Sequence, residues 1–162
     1  MSSKADFTDS EWETLLRAPM IAGMAITFAD PGGPIEVLKE TSSVLRFVTA
    51  GSADREDVVG EIARDVRGLA QQRKNPLGDF KPRGSLAAKE ILDELGRAAA
   101  IVTEKGTPEE AEALRAWLLE CAKHAAEAAK EGGFMGFNAV RVSEGEERML
   151  AELATTLGVE PA

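Results

Sequence analysis

The chain has 162 residues, 44% of them apolar and 29% charged, a mix suited to one globular domain (residues 1–162) that buries about 70% of its unfolded surface. Its net charge of −9 sets the surface against phosphate backbones, so no nucleic-acid partner is expected. One cysteine, Cys121, rules out an intramolecular disulfide framework and fits a reducing, cytoplasmic setting.

Met1 to Asp6 lacks the basic stretch and apolar core of a secretory signal. The first helix then opens on Thr8-Asp9-Ser10-Glu11, a capping box, with Phe7 and Trp12 at the two positions of a hydrophobic staple. Its second half, Ala18 to Ala29, is a charge-free apolar run that leaves no face for water. Twelve residues fall short of the roughly 17–25 that span a bilayer, so this is a central core helix and no membrane span is expected. Pro19 removes one internal hydrogen bond and predicts a kink near residues 15–19. Asp30-Pro31-Gly32-Gly33 is a turn cluster that ends the helix.

Pro34 stands as the first residue of helix two, which runs to about Thr49 with Val37, Leu38, Thr41, Val44, Leu45 and Val48 on one face. Helix three begins near Asp54 and carries Val58, Ile62, Val66 and Leu69 as far as Gln72. Asn75 to Gly84 holds two prolines and two glycines and is the longest loop, expected to be the most mobile. Its cations Arg73, Lys74, Lys81 and Arg83 read as solvated surface. Ser85 is expected to cap helix four, whose core face holds Leu92, Leu95, Ala99 and Val102. Thr107-Pro108-Glu109-Glu110 is a second capping box and starts helix five, which runs to about Glu131. The apolar connection Gly132 to Val142 follows. A third capping box, Ser143 to Glu146, opens helix six, which stops at Gly158.

No stretch alternates with period two, so the fold class is all-α: a multihelical bundle of about six helices around the N-terminal apolar helix. Both halves contain an apolar or alanine-rich helix, a Gly-Gly turn and an amphipathic helix. A diverged duplication is therefore one reading, and two unrelated halves are the other.

Chemistry concentrates on helix five, where Glu120, His124, Glu127 and Glu131 share a stripe about 60° wide beside the buried face. Carboxylates with one imidazole suit a divalent metal ion, and the alternative is a solvated flank offset by Lys123 and Lys130. Asp30, Glu36 and Glu40 flank the first Gly-Gly turn and, set against Glu131, would complete a site between the halves. Cys121 falls among alanines as a small core residue. No nucleophile or oxyanion group accompanies the carboxylates, so an enzyme is not the expected reading. Phe134, Met135 and Phe137 in the glycine-rich connection either tuck under the bundle or dock a protein partner or second copy.

Ala29 to Glu40, with its Ala-Asp-x-Gly-Gly turn, and Val142 to Leu157, with Val-Ser-x-x-Glu-x-x-x-Leu-x-x-Leu-Ala, resemble the TerB-like family of tellurite-resistance proteins over under a fifth of the chain. The resemblance implies a duplicated helical fold and an acidic divalent-metal site at Asp30, Glu40, Glu131 and Glu147. The chain departs from that pattern at Pro31, after the aspartate, and at Lys130 in place of a second aspartate, so a second symmetric half-site lacks support. The function expected is a cytoplasmic, non-enzymatic helical protein that binds a divalent metal in a stress-response setting. The alternative is a metal-free interaction module, a homodimer through residues 132–142.

Overall fold

A computed structural model describes residues 1–29, 34–131 and 143–160, without the side chains of residues 34–40, 130 and 131. Among these are six α-helices and no strand: α1 (Asp9–Ala29), α2 (Pro34–Ala50), α3 (Val58–Gln71), α4 (Ala87–Lys105), α5 (Pro108–Glu131) and α6 (Glu144–Leu157). The all-α bundle expected from the sequence is the observed architecture. No described helix is long and apolar enough to cross a membrane.

The apolar run of α1 is buried on every side from Ala18 to Gly23, which a helix tolerates only when neighbours surround it. α1 packs on all five other helices, and its central place is as the sequence predicts. The helix runs unbroken through Pro19. Phe28, near its end, is the exception in the run, 42% exposed. α5 shares the centre and also touches every other helix. Its first half buries Leu114, Trp117, Leu118 and Leu119, whereas from Cys121 on the buried residues Cys121, Ala122, Ala125 and Ala126 are all small, so neighbouring backbones approach closely there.

The helix ends follow local chemistry. The amide of Thr8 donates to Glu11 while the amide of Glu11 donates to the Thr8 hydroxyl, and the boxes at Thr107/Glu110 and Ser143/Glu146 repeat this exchange. The Phe7 and Trp12 rings meet at 5.6 Å as the staple requires. Gly158 ends α6 in the left-handed conformation, φ 68°.

Two expected starts are displaced. α3 begins at Val58 because Asp54 is spent in a short 3₁₀ turn, and Asp57 caps the helix by accepting from the Gly60 amide at 3.0 Å. Ser85 lies within another 3₁₀ turn and makes no cap, so α4 starts at Ala87 behind Leu86. On α4 the expected Leu95, Ala99 and Val102 are buried and Leu92 is partly buried against the core, and the buried face also takes in Ile91, Glu94 and Ala98. The loop between α3 and α4 is organised by the Asn75 side chain accepting from the Leu77 amide, and Leu77 and Phe80 pack onto the core.

Residues 2–11 strap the far side of the bundle. Ser2 is buried and donates to Glu110 from its amide at 2.8 Å and its hydroxyl at 2.7 Å. The Lys4 amide donates to Glu61, and Asp65 accepts from both Lys4 Nζ and Trp12 Nε1. Burial alone would raise the Glu110 carboxyl, yet the hydrogen bonds from the Thr107 amide and from Ser2 hold it below the usual carboxylate range.

Candidate functional site

Helices α2 and α5 lie antiparallel, and three contacts set their register. The rings of Phe47 and His124 stack at 4.1 Å with 24° between planes. The Ser43 hydroxyl donates to the His124 carbonyl at 3.2 Å, and Trp117 Nε1 donates to the Ser52 hydroxyl at 2.7 Å. Position 43 on α2 therefore lies beside 124 on α5, while Ser52, in the 3₁₀ turn just past the end of α2, lies beside 117, so the helices run in opposite directions.

That register fixes where the backbone carries two of the expected ligands. Glu40 stands seven residues before Phe47, and Glu131 stands seven after His124. Seven residues are nearly two full turns, about 10.5 Å along the axis and about 20° from the starting face. Because the helices are antiparallel, both steps lead toward the same end of the helix pair, the end at which α2 begins and α5 finishes. The N-terminus of α6 reaches the C-terminus of α1: a β-carbon on Gly145 would lie 2.7 Å from the Ala29 carbonyl oxygen. Only a residue without a side chain lets the two ends meet so closely.

The expected site residues fall into two groups. His124 is half-buried with its ring against Phe47, whereas Glu127 on α5 and Glu147 on α6 are exposed. Asp30 and the side chains of Glu40 and Glu131 lie outside the described residues, as do Phe134, Met135, Phe137 and the second Gly-Gly turn of the candidate duplication. Among the described residues, no three His, Cys, Asp or Glu side chains stand together so as to hold an ion. Glu120 is paired with Lys123 at 2.9 Å. Cys121 is fully buried, and burial pushes its thiol far up, which suits a core residue and not a nucleophile.

The sequence reading missed Glu94, whose side chain is only 8% exposed and lies between Arg97 Nη1 at 3.4 Å and Arg17 Nη1 at 3.8 Å. The signal was present in the spacing of Ile91, Glu94, Leu95, Ala98 and Val102, a helical core stripe with one carboxylate in it. A stripe drawn through Leu92 in place of Ile91 hides it.

Compared with protein-family models, with curated proteins and with solved structures, the chain finds no match.

Proposed function

We propose that this protein is a non-enzymatic helical protein that binds a divalent metal ion through carboxylates drawn from different helices. The observation that supports the reading is the antiparallel α2–α5 register, by which the start of α2, with Glu40, and the end of α5, with Glu131, belong to the same end of the helix pair. The seat of Gly145 on Ala29 adds to it, since α6, which bears Glu147, begins beside the residue that precedes Asp30. Oxygen ligands from several elements are what calcium, magnesium or manganese require, and His124 with Glu127 nearby on α5 would extend the choice to zinc. The stress-response setting follows from the resemblance to the TerB-like family.

Cation binding to the folded state stabilises it by mass action, about 2.7 kcal/mol at 100 times the dissociation constant. For a domain of this size each kcal/mol moves the melting midpoint by about 2–4 °C, so the gain is about 5–11 °C. Thermal melts with calcium, magnesium, manganese and zinc, each reversed by chelator, read this directly. Glu40→Gln should remove most of the shift, while its metal-free form melts no lower than the parent because one of several crowded negative charges is gone. No shift with any of the four ions overturns the proposal and leaves the interaction module through residues 132–142.

A further inference from the structure

At the other end of α1 a cleft of about 480 Å³ opens between the first turns of α1, the 79–82 turn and α4. Its size is that of a small-molecule site. Glu94 forms part of its floor, and the partners of this carboxylate among the described residues are the two guanidiniums, at ion-pair distance but long for hydrogen bonds. A carboxylate offers about four acceptor positions, so Glu94, largely buried but open to the cleft, has acceptor capacity to spare. Thr14 beside it is also buried, and its hydroxyl already donates to the Ser10 carbonyl, leaving only acceptor capacity for a ligand. Arg97 is mostly exposed, and Lys81 also lines the cleft.

The charge balance selects the ligand class. Arg17, Lys81 and Arg97 line the cleft together with Asp79, Glu90, Asp93 and Glu94, of which Asp93 is ion-paired with Lys89 and Glu90 accepts from the Arg83 amide, so either a phosphate or a bare metal ion meets like charge in the lining. A flat apolar ligand finds only Phe80 and Pro82. A molecule carrying both charges a few ångströms apart is complementary to the lining. We propose that this cleft binds a small zwitterion of the α-amino-acid class, its ammonium group on Glu94 and Thr14 and its carboxylate on Arg97 and Arg17. The ammonium supplies the donors that Glu94 lacks, and the carboxylate takes chiefly the exposed guanidinium of Arg97, since Arg17 also donates from Nε to the Glu13 carbonyl at 3.2 Å and holds Nη2 3.8 Å from the Glu13 carboxylate. Phe80 and Pro82 form the wall for the ligand's side chain. This site is independent of the metal reading, which concerns the opposite end of α1.

The test is a thermal-shift screen of the free α-amino acids at about 10 mM, with methylamine and acetate at equal ionic strength as the two halves of the ligand. At ten times the dissociation constant one or more amino acids should raise the midpoint by about 3–6 °C, and neither half should do so. Amide chemical-shift changes on ¹⁵N-labelled protein should centre on Arg17, Glu94 and Arg97. Arg97→Gln, at an exposed position that keeps the fold, should weaken binding about tenfold or more, and Glu94→Gln should abolish it. The proposal is overturned if no amino acid shifts either the midpoint or those amides, if either half binds as well as the whole, or if binding survives Arg97→Gln unchanged.

Discussion

Two glycines in α3 make opposite demands on the same substitution. A β-carbon on Gly60 would lie 1.9 Å from the Arg55 carbonyl oxygen and 2.7 Å from its carbon, an overlap with backbone that no rotamer relieves. That carbonyl is also one of two acceptors for Arg64 Nη1, at 2.9 Å, and the Gly60 amide donates to the capping Asp57. Alanine at 60 must push residues 55–57 away. Overpacking costs about 1–3 kcal/mol and a lost cap about 1, set against about 1 gained in helix propensity. The net is about 1–3 kcal/mol of destabilisation, or about 2–12 °C of melting temperature. Gly68, two turns on, has nothing within 4 Å of its would-be β-carbon, so Gly68→Ala should gain up to about 1 kcal/mol and melt about 2–4 °C higher. Urea titration of the two variants beside the parent measures both. If Gly60→Ala is as stable as Gly68→Ala, or both fall equally, the packed entry to α3 described here is wrong.

The Cys121 thiol, fully buried and raised by burial, should resist a disulfide reagent in the native protein and react at once in denaturant; rapid native labelling would contradict its placement. Acid should unfold the chain through carboxylates held low in the folded state. Burial raises Glu110, Asp57 and Asp65, but hydrogen bonds from Ser2 and Thr107, from Arg55 and Gly60, and from Lys4 and Trp12 outweigh it. The unfolded chain therefore takes up their protons first as pH falls, so the stability they confer is complete above the usual carboxylate range and lost as pH drops through their folded values. The urea midpoint should decline from about pH 6 to about pH 3, with a shallower slope in Glu110→Gln, and an unchanged slope in that variant would remove Ser2 and Glu110 from the explanation.

The helix count and most boundaries were legible because they are written locally. Three capping boxes, one staple and a terminal glycine each involve residues within a few positions of one another, and all five are realised. Errors came where a local signal had a nearby competitor. Asp54 and Ser85 are good capping residues, but 3₁₀ turns claim both stretches. The shared centrality of α5 was not legible, since its alanines give weak periodicity and reveal their role only as space for neighbouring backbones. Neither was the tie of Ser2 to Glu110, 108 residues apart in sequence. Of the candidate metal ligands, the sequence could supply the types and the heptad spacing. It could not supply the pairing of Phe47 with His124 that sets α2 against α5.

A core built this way also decides where polar chemistry can reside. Ala18, Ala22 and Ala25 on α1, with Ala122, Ala125 and Ala126 on α5, are buried to 1% exposure or less. Backbones packed through such small side chains leave no room for a charged group and its partners along the middle of the bundle. The buried carboxylate of Glu94 lies against Arg17 at the edge of that core, in the N-terminal half of α1, while the proposed metal ligands belong to the region beyond its C-terminus. Arg17 and Ala29 are twelve residues apart, about 18 Å along the helix axis, which exceeds the screening length of about 8 Å at physiological salt. Solvent-exposed charge at one end is therefore largely screened from the other, and the alanine core between the two proposed sites holds, among the described residues, no ionised group that links them.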